Sequence, residues 1–97
     1  MEKLALLAIL DAKPGKEAEL EAFLKSALPL AQQEAGTVSW YAIKISDSKF
    51  GIFDTFADEA GRNAHLTGDI AKALFAKAEE LLASTPQIDK PEILAAK

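Results

Sequence analysis

The chain has a single histidine, His65, inside the run Arg62-Asn63-Ala64-His65-Leu66-Thr67-Gly68, shortly after the aromatic-rich stretch Phe53-Asp54-Thr55-Phe56. An imidazole with its ordinary pKa of about 6.5 accepts a proton near neutral pH, so His65 is the first candidate for proton transfer. With aromatic rings nearby, no cysteine and no recognisable cofactor loop, it points to chemistry or binding on a small aromatic molecule. The competing role for a lone histidine is structural: a helix cap, or a bond to a backbone carbonyl at the sheet edge. Arg62 precedes His65 by about one helical turn, close enough to share its face, where a guanidinium would stabilise a phenolate or enolate. Pairing with Asp58 or Glu59 is the plain alternative for that arginine. Asp54 alternates onto the face of Phe56, either orienting a donor or standing as a solvated edge charge.

Other chemistries lack their residues. One histidine without cysteine cannot build a tetrahedral nitrogen and sulfur site, and no acidic run has the spacing of a calcium loop, so no metal is expected. The five glycines form neither a phosphate cradle nor a dinucleotide fingerprint, and no serine sits in a nucleophile elbow. No cofactor is expected, and the substrate must supply most of the reactivity. Eleven basic residues, scattered against fifteen acidic ones, give a net charge of −4 and argue against nucleic acid as a partner. No apolar run approaches the roughly 20 residues that cross a bilayer. The apolar stretch after Met1-Glu2-Lys3 runs straight into charged Asp11 and Lys13 instead of a cleavage site, so a soluble, cytoplasmic protein is expected.

The 97 residues fit one domain, 1–97. Leu4 to Leu10 is an unbroken apolar run of strand length, stopped by Asp11 to Gly15. From Lys16 to about Glu34, Leu20, Phe23, Leu24, Ala27, Leu28 and Ala31 recur at helical spacing, with a kink expected at Pro29 and a left-handed cap at Gly36. Thr37 to Ile45 and Phe50 to Phe56 are rich in β-branched and aromatic residues, and residues 46–49 form the hairpin loop between them. Asp58 caps a short turn ending near His65. Thr67, Gly68 and Asp69 then open a helix to about Ala83, and the tail from Gln87 to Ala95, interrupted by Pro91, fits an edge strand.

The order βαββαβ predicts an α+β, ferredoxin-like antiparallel sheet with helices on one face. Leu4, Leu6 and Leu10 share one face of the first strand while Leu7 and Ile9 share the other, so both sides of the sheet need cover. The chain's own helices supply one side only. A homodimer packing sheet against sheet is expected to supply the other.

The segments Glu34-Ala35-Gly36-Thr37-Val38-Ser39-Trp40, Phe53-Asp54-Thr55-Phe56, Arg62 to Gly68 and Glu92-Ile93-Leu94-Ala95-Ala96-Lys97 together resemble the antibiotic biosynthesis monooxygenase family. The resemblance spans essentially the whole chain and is most specific around His65. It implies a dimeric α+β barrel with an apolar pocket between sheet and helices in each subunit. It also implies oxidation of a phenol, quinol or polyketide by O2 without flavin, haem or metal. In that chemistry a phenol loses a proton, the anion passes an electron to oxygen, and the radical pair recombines before water is lost. His65 becomes the expected catalytic residue. Trp40, which takes the aromatic position of the family pattern, becomes the pocket candidate, and Tyr41 on the opposite face of its strand turns to the partner subunit. Phe56, Arg62, Phe23 and Phe75 complete the expected substrate-binding set, although phenylalanines at such spacing also serve as plain core. Haem-degrading relatives carry asparagine, tryptophan and histidine where this chain has Ala8, Phe56 and Phe75, which disfavours haem degradation. The alternative is a non-catalytic protein that binds a small apolar or aromatic metabolite in the same pocket.

Overall fold

The computed structural model describes residues 2–97. In chain order these form β1 (Leu4–Asp11), α1 (Glu17–Ser26), α2 (Leu28–Gln33), β2 (Thr37–Lys44), β3 (Lys49–Phe56), α3 (Glu59–Leu66), α4 (Asp69–Leu81) and β4 (Gln87–Asp89). The strands pair antiparallel in the order β2-β3-β1-β4, the expected ferredoxin-like α+β arrangement.

The apolar run of β1 lies centrally, with Leu7 opposite Phe53 of β3 on one side and Asp89 of β4 on the other. Its even-numbered residues turn toward the helices. Leu10 packs there with Phe50 and Ile52 of β3, Leu20 and Leu24 of α1, and Leu74 and Leu81 of α4. Each such side chain, once buried, contributes about 1.5–3 kcal/mol. The odd-numbered residues face away: Leu7, Ile9 and Phe53 are half-buried by their neighbours alone, and Tyr41 and Ile43 are exposed. That face of the sheet carries no helix.

Three expectations are corrected. The helix expected from Lys16 to Glu34 is two helices: Ala27 N–H turns back to Leu24 O, and Pro29 sits in the first turn of α2, where its missing donor has no intrahelical role. Gly36 is not a left-handed cap, since among the described residues only Gly15, in the turn before α1, has positive φ (86°). Gly36 instead meets Gly61 backbone to backbone. The last strand is three residues long, because Pro91 has no N–H to continue a ladder. Beyond it the tail keeps only single bonds to the start of β1, Ala5 N–H to Pro91 O and Ile93 N–H to Lys3 O.

Candidate functional site

Three segments far apart in sequence meet at one imidazole. Asp54 lies on the central strand β3, opposite Leu6 and Trp40, with the parity that faces the helices. His65 lies in the last turn of α3, a helix started by Asp58, whose carboxylate accepts from Gly61 N–H at 2.9 Å. Glu34 caps the end of α2 in an extended conformation, directly before β2. Gly36 and Gly61 allow these segments to close up. A Cβ on Gly61 would lie 2.7 Å from the Gly36 carbonyl oxygen, so only glycine fits this approach of α3 to the entry of β2.

The resulting contacts are short. His65 Nδ1 is 2.5 Å from Glu34 Oε1, and His65 Nε2 is 2.7 Å from Asp54 Oδ2. Thr37 Oγ1 donates to the same Glu34 oxygen at 2.8 Å. The ring of Phe56 lies against the imidazole, with centroids 5.5 Å apart. His65 is buried and Asp54 more deeply so, at 1% exposure. Nε2 and Oδ2 are at ion-pair distance, yet neither Asp54 oxygen has a well-aligned hydrogen bond, which leaves acceptor capacity in a dry place.

Burial is the largest single influence on His65 and opposes its charge. Asp54 and then Glu34 together outweigh it, and the titration of the ring is raised above its ordinary 6.5. Each ring nitrogen has a carboxylate oxygen at contact distance, and both carboxylates favour the charged form of the ring. The described residues contain no cluster of three or more His, Cys, Asp or Glu side chains that could hold a metal ion.

Two hollows meet at this ring. On the Asp54 side a narrow cleft of about 40 Å³ lies between the sheet and helices α3 and α4. Leu6, Ile52, Leu66, Ile70 and Leu74 make its walls apolar, and Asp54 and His65 are its ionisable groups. On the Glu34 side a larger and more polar groove of about 420 Å³ is bordered by Gln33, Glu34, Thr37 and Asp69.

Of the residues expected from sequence, His65 and Phe75 line the cleft, Phe75 half-exposed at its mouth. Phe56 is fully buried behind the imidazole and supports the ring without lining the cleft. Trp40 does turn to the helix side while Tyr41 turns away, but the indole packs against the core and borders a separate hollow beside Leu28 and Val38. Phe23 packs on the core around Leu10 and Leu20. Arg62 points elsewhere: its guanidinium donates to the carbonyls of Ala5 at 3.3 Å and Pro91 at 3.5 Å, fastening the tail to β1, and pairs with neither Asp58 nor Glu59. In the sequence Glu34 only bounds a helix and opens a resembling segment, and nothing local ties it to His65, 31 residues away. Asp54 was noticed for its parity, but its burial was not anticipated.

Among the described residues no helix is long and apolar enough to cross a membrane. No family model matches the sequence, and no curated protein matches it. Solved structures do. The NE2512 protein of unknown function from Nitrosomonas europaea is 62% identical over all of this chain and 94% of its own, with a TM-score of 0.98. Two proteins described as "putative antibiotic biosynthesis monooxygenase" share the fold at low identity. The one from Nitrosomonas europaea is 10% identical over 95% of this chain and 99% of its own (TM-score 0.84). The one from Caulobacter crescentus is 21% identical over 97% and 92% (TM-score 0.80). The chain belongs to one family with the NE2512 protein, and its fold is that of the antibiotic biosynthesis monooxygenases.

Proposed function

We propose that the cleft binds a small phenol or quinol, and that the protein oxidises it with O2 as a cofactor-independent monooxygenase. Asp54 is the observation that carries this reading: a buried carboxylate, paired on one side by His65, at the floor of an otherwise apolar cleft. Such a floor takes a molecule that is apolar over most of its surface and donates one hydroxyl. The hydroxyl proton passes to Asp54, and the phenolate gives an electron to O2. Recombination forms a carbon–oxygen bond, the peroxide regains the proton, and water leaves, so a phenol and O2 become a quinone and water. His65, expected from sequence as the proton acceptor, serves here as the charged half of a pair whose accepting atoms belong to Asp54. Phe75 at the mouth contacts the ring of the bound molecule.

The bare face of the sheet supports a second part of the proposal. Leu7, Ile9, Tyr41, Ile43 and Phe53 lie together without cover, as expected of the contact between two copies in a homodimer.

A binding protein using the same cleft is the second reading, favoured by the carboxylates that hold His65 at both ring nitrogens, because a ring clamped between them is not free to cycle protons. Oxygen uptake with 1-naphthol and with hydroquinone separates the two. Sustained uptake, lowered roughly 100- to 10,000-fold in Asp54→Asn, supports the enzyme. Saturable binding without uptake supports the carrier, and the absence of both overturns the cleft as a ligand site.

A further inference from the structure

The polar floor of the cleft does not end at Asp54. Behind it the imidazole spans from Asp54 to Glu34, and Glu34 opens into the groove on the far side of the ring, with 20% of its side chain exposed against 1% for Asp54. Its carboxylate is itself held in place. Thr37 Oγ1 donates to Oε1, and Gly68 leaves room beside Oε2, where a Cβ would come within 3.2 Å. His65 is the one cation paired with it among the described residues.

We propose that Glu34, outside the cleft, is a positioning residue for it: it clamps the outer nitrogen of His65 and so holds the inner nitrogen on Asp54. This rests on the reading of the cleft as a hydroxyl-binding site. An imidazole with only one partner can swing about its Cβ–Cγ bond, and in a buried position an unpaired N–H carries a desolvation cost that favours loss of its proton. Held at both ends, the ring has one orientation, and both carboxylates favour its charged form. Asp54 then keeps a compensating charge at Oδ2 and leaves its other oxygen to the ligand. The remaining charged groups around His65 do not replace Glu34: Asp69 on α4 borders the same groove, and Arg62 on its own helix is turned toward the Ala5 and Pro91 carbonyls.

The only histidine in the chain gives a single set of ring signals by NMR, which makes the test direct. Glu34→Gln keeps an oxygen acceptor for Nδ1 and removes the charge. The expected result is a His65 titration midpoint below the native one, with 1-naphthol binding above that midpoint weakened about tenfold for each unit of the fall. Thr37→Val, which removes the brace and spares the charge, should shift both readouts in the same direction by less, and it decides the matter if Glu34→Gln does not fold. A merely structural Glu34 would lower the melting temperature and leave the midpoint and the pH dependence of binding where they were. That result overturns the proposal while the cleft reading stands. A native protein that binds no 1-naphthol at any pH overturns the cleft reading and this proposal with it.

Discussion

The two faces of the sheet carry the residue types opposite to their exposure. On the covered face, beneath α3 and α4, a carboxylate and an imidazole are buried among leucines and isoleucines. On the bare face Leu7, Ile9, Tyr41, Ile43 and Phe53 meet no other part of the chain's helical layer. Each anomaly has its own remedy. Buried charge persists because every member has an opposite charge at contact distance, whereas bare apolar surface has no internal remedy and calls for a second molecule. Chemistry therefore belongs to the first face and assembly to the second.

The sharpest way to break this contrast is to unpair the buried charge. His65→Leu strands Asp54 in an apolar setting and should cost about 3–5 kcal/mol of unfolding free energy in urea, much of it recovered by adding Asp54→Leu. Equal losses in the single and double variants would mean that the pair does not organise this face. Leu7→Glu addresses the other face. It should convert a dimer to a monomer by light scattering at micromolar concentration and leave the secondary structure by circular dichroism unchanged; a native protein that is already monomeric would remove assembly from the comparison.

A smaller effect is expected from pH. Because the folded midpoint of His65 lies above 6.5, the stability that its charge contributes is fully present below about pH 6.5 and is lost as pH rises through the folded midpoint. Each unit of that difference is worth about 1.4 kcal/mol. Thermal melts between pH 6 and 9 should show this decline in the native protein and a flatter profile in the His65→Leu, Asp54→Leu double variant. The least effect is local: Asp58→Ala removes the cap that starts α3 and should cost about 1 kcal/mol, read from the urea midpoint.

The fold was legible because its strands announce themselves twice, by period and by type. Leu4 to Leu10 is apolar at every position, and the alternation in Phe50 to Phe56 already placed Asp54 on the same face as Phe56. The site was legible only at its centre. His65 stood out as the lone imidazole, but Glu34 carries no local mark that distinguishes it from Glu17, Glu19 and Glu21 of α1. Parity indicated which way Asp54 points, whereas its depth depends on α3 and α4 lying over it, which is tertiary information. The break at Ala27 was masked because the apolar spacing runs on unchanged through Pro29. Arg62 misled for a similar reason: helical spacing gives the face of a residue, but a long side chain can leave that face for a distant carbonyl.

The meeting of Gly36 and Gly61 acts as a spacer of fixed thickness. The separation of the Glu34 and His65 backbones is set by two chains in contact, with no side chain between Gly36 and Gly61 to hold them apart. A single methyl group on either glycine would act as a shim, lifting α3 from the entry of β2 and drawing the imidazole away from the outer carboxylate. The accuracy of the charged line is thus stored in part in the absence of two side chains.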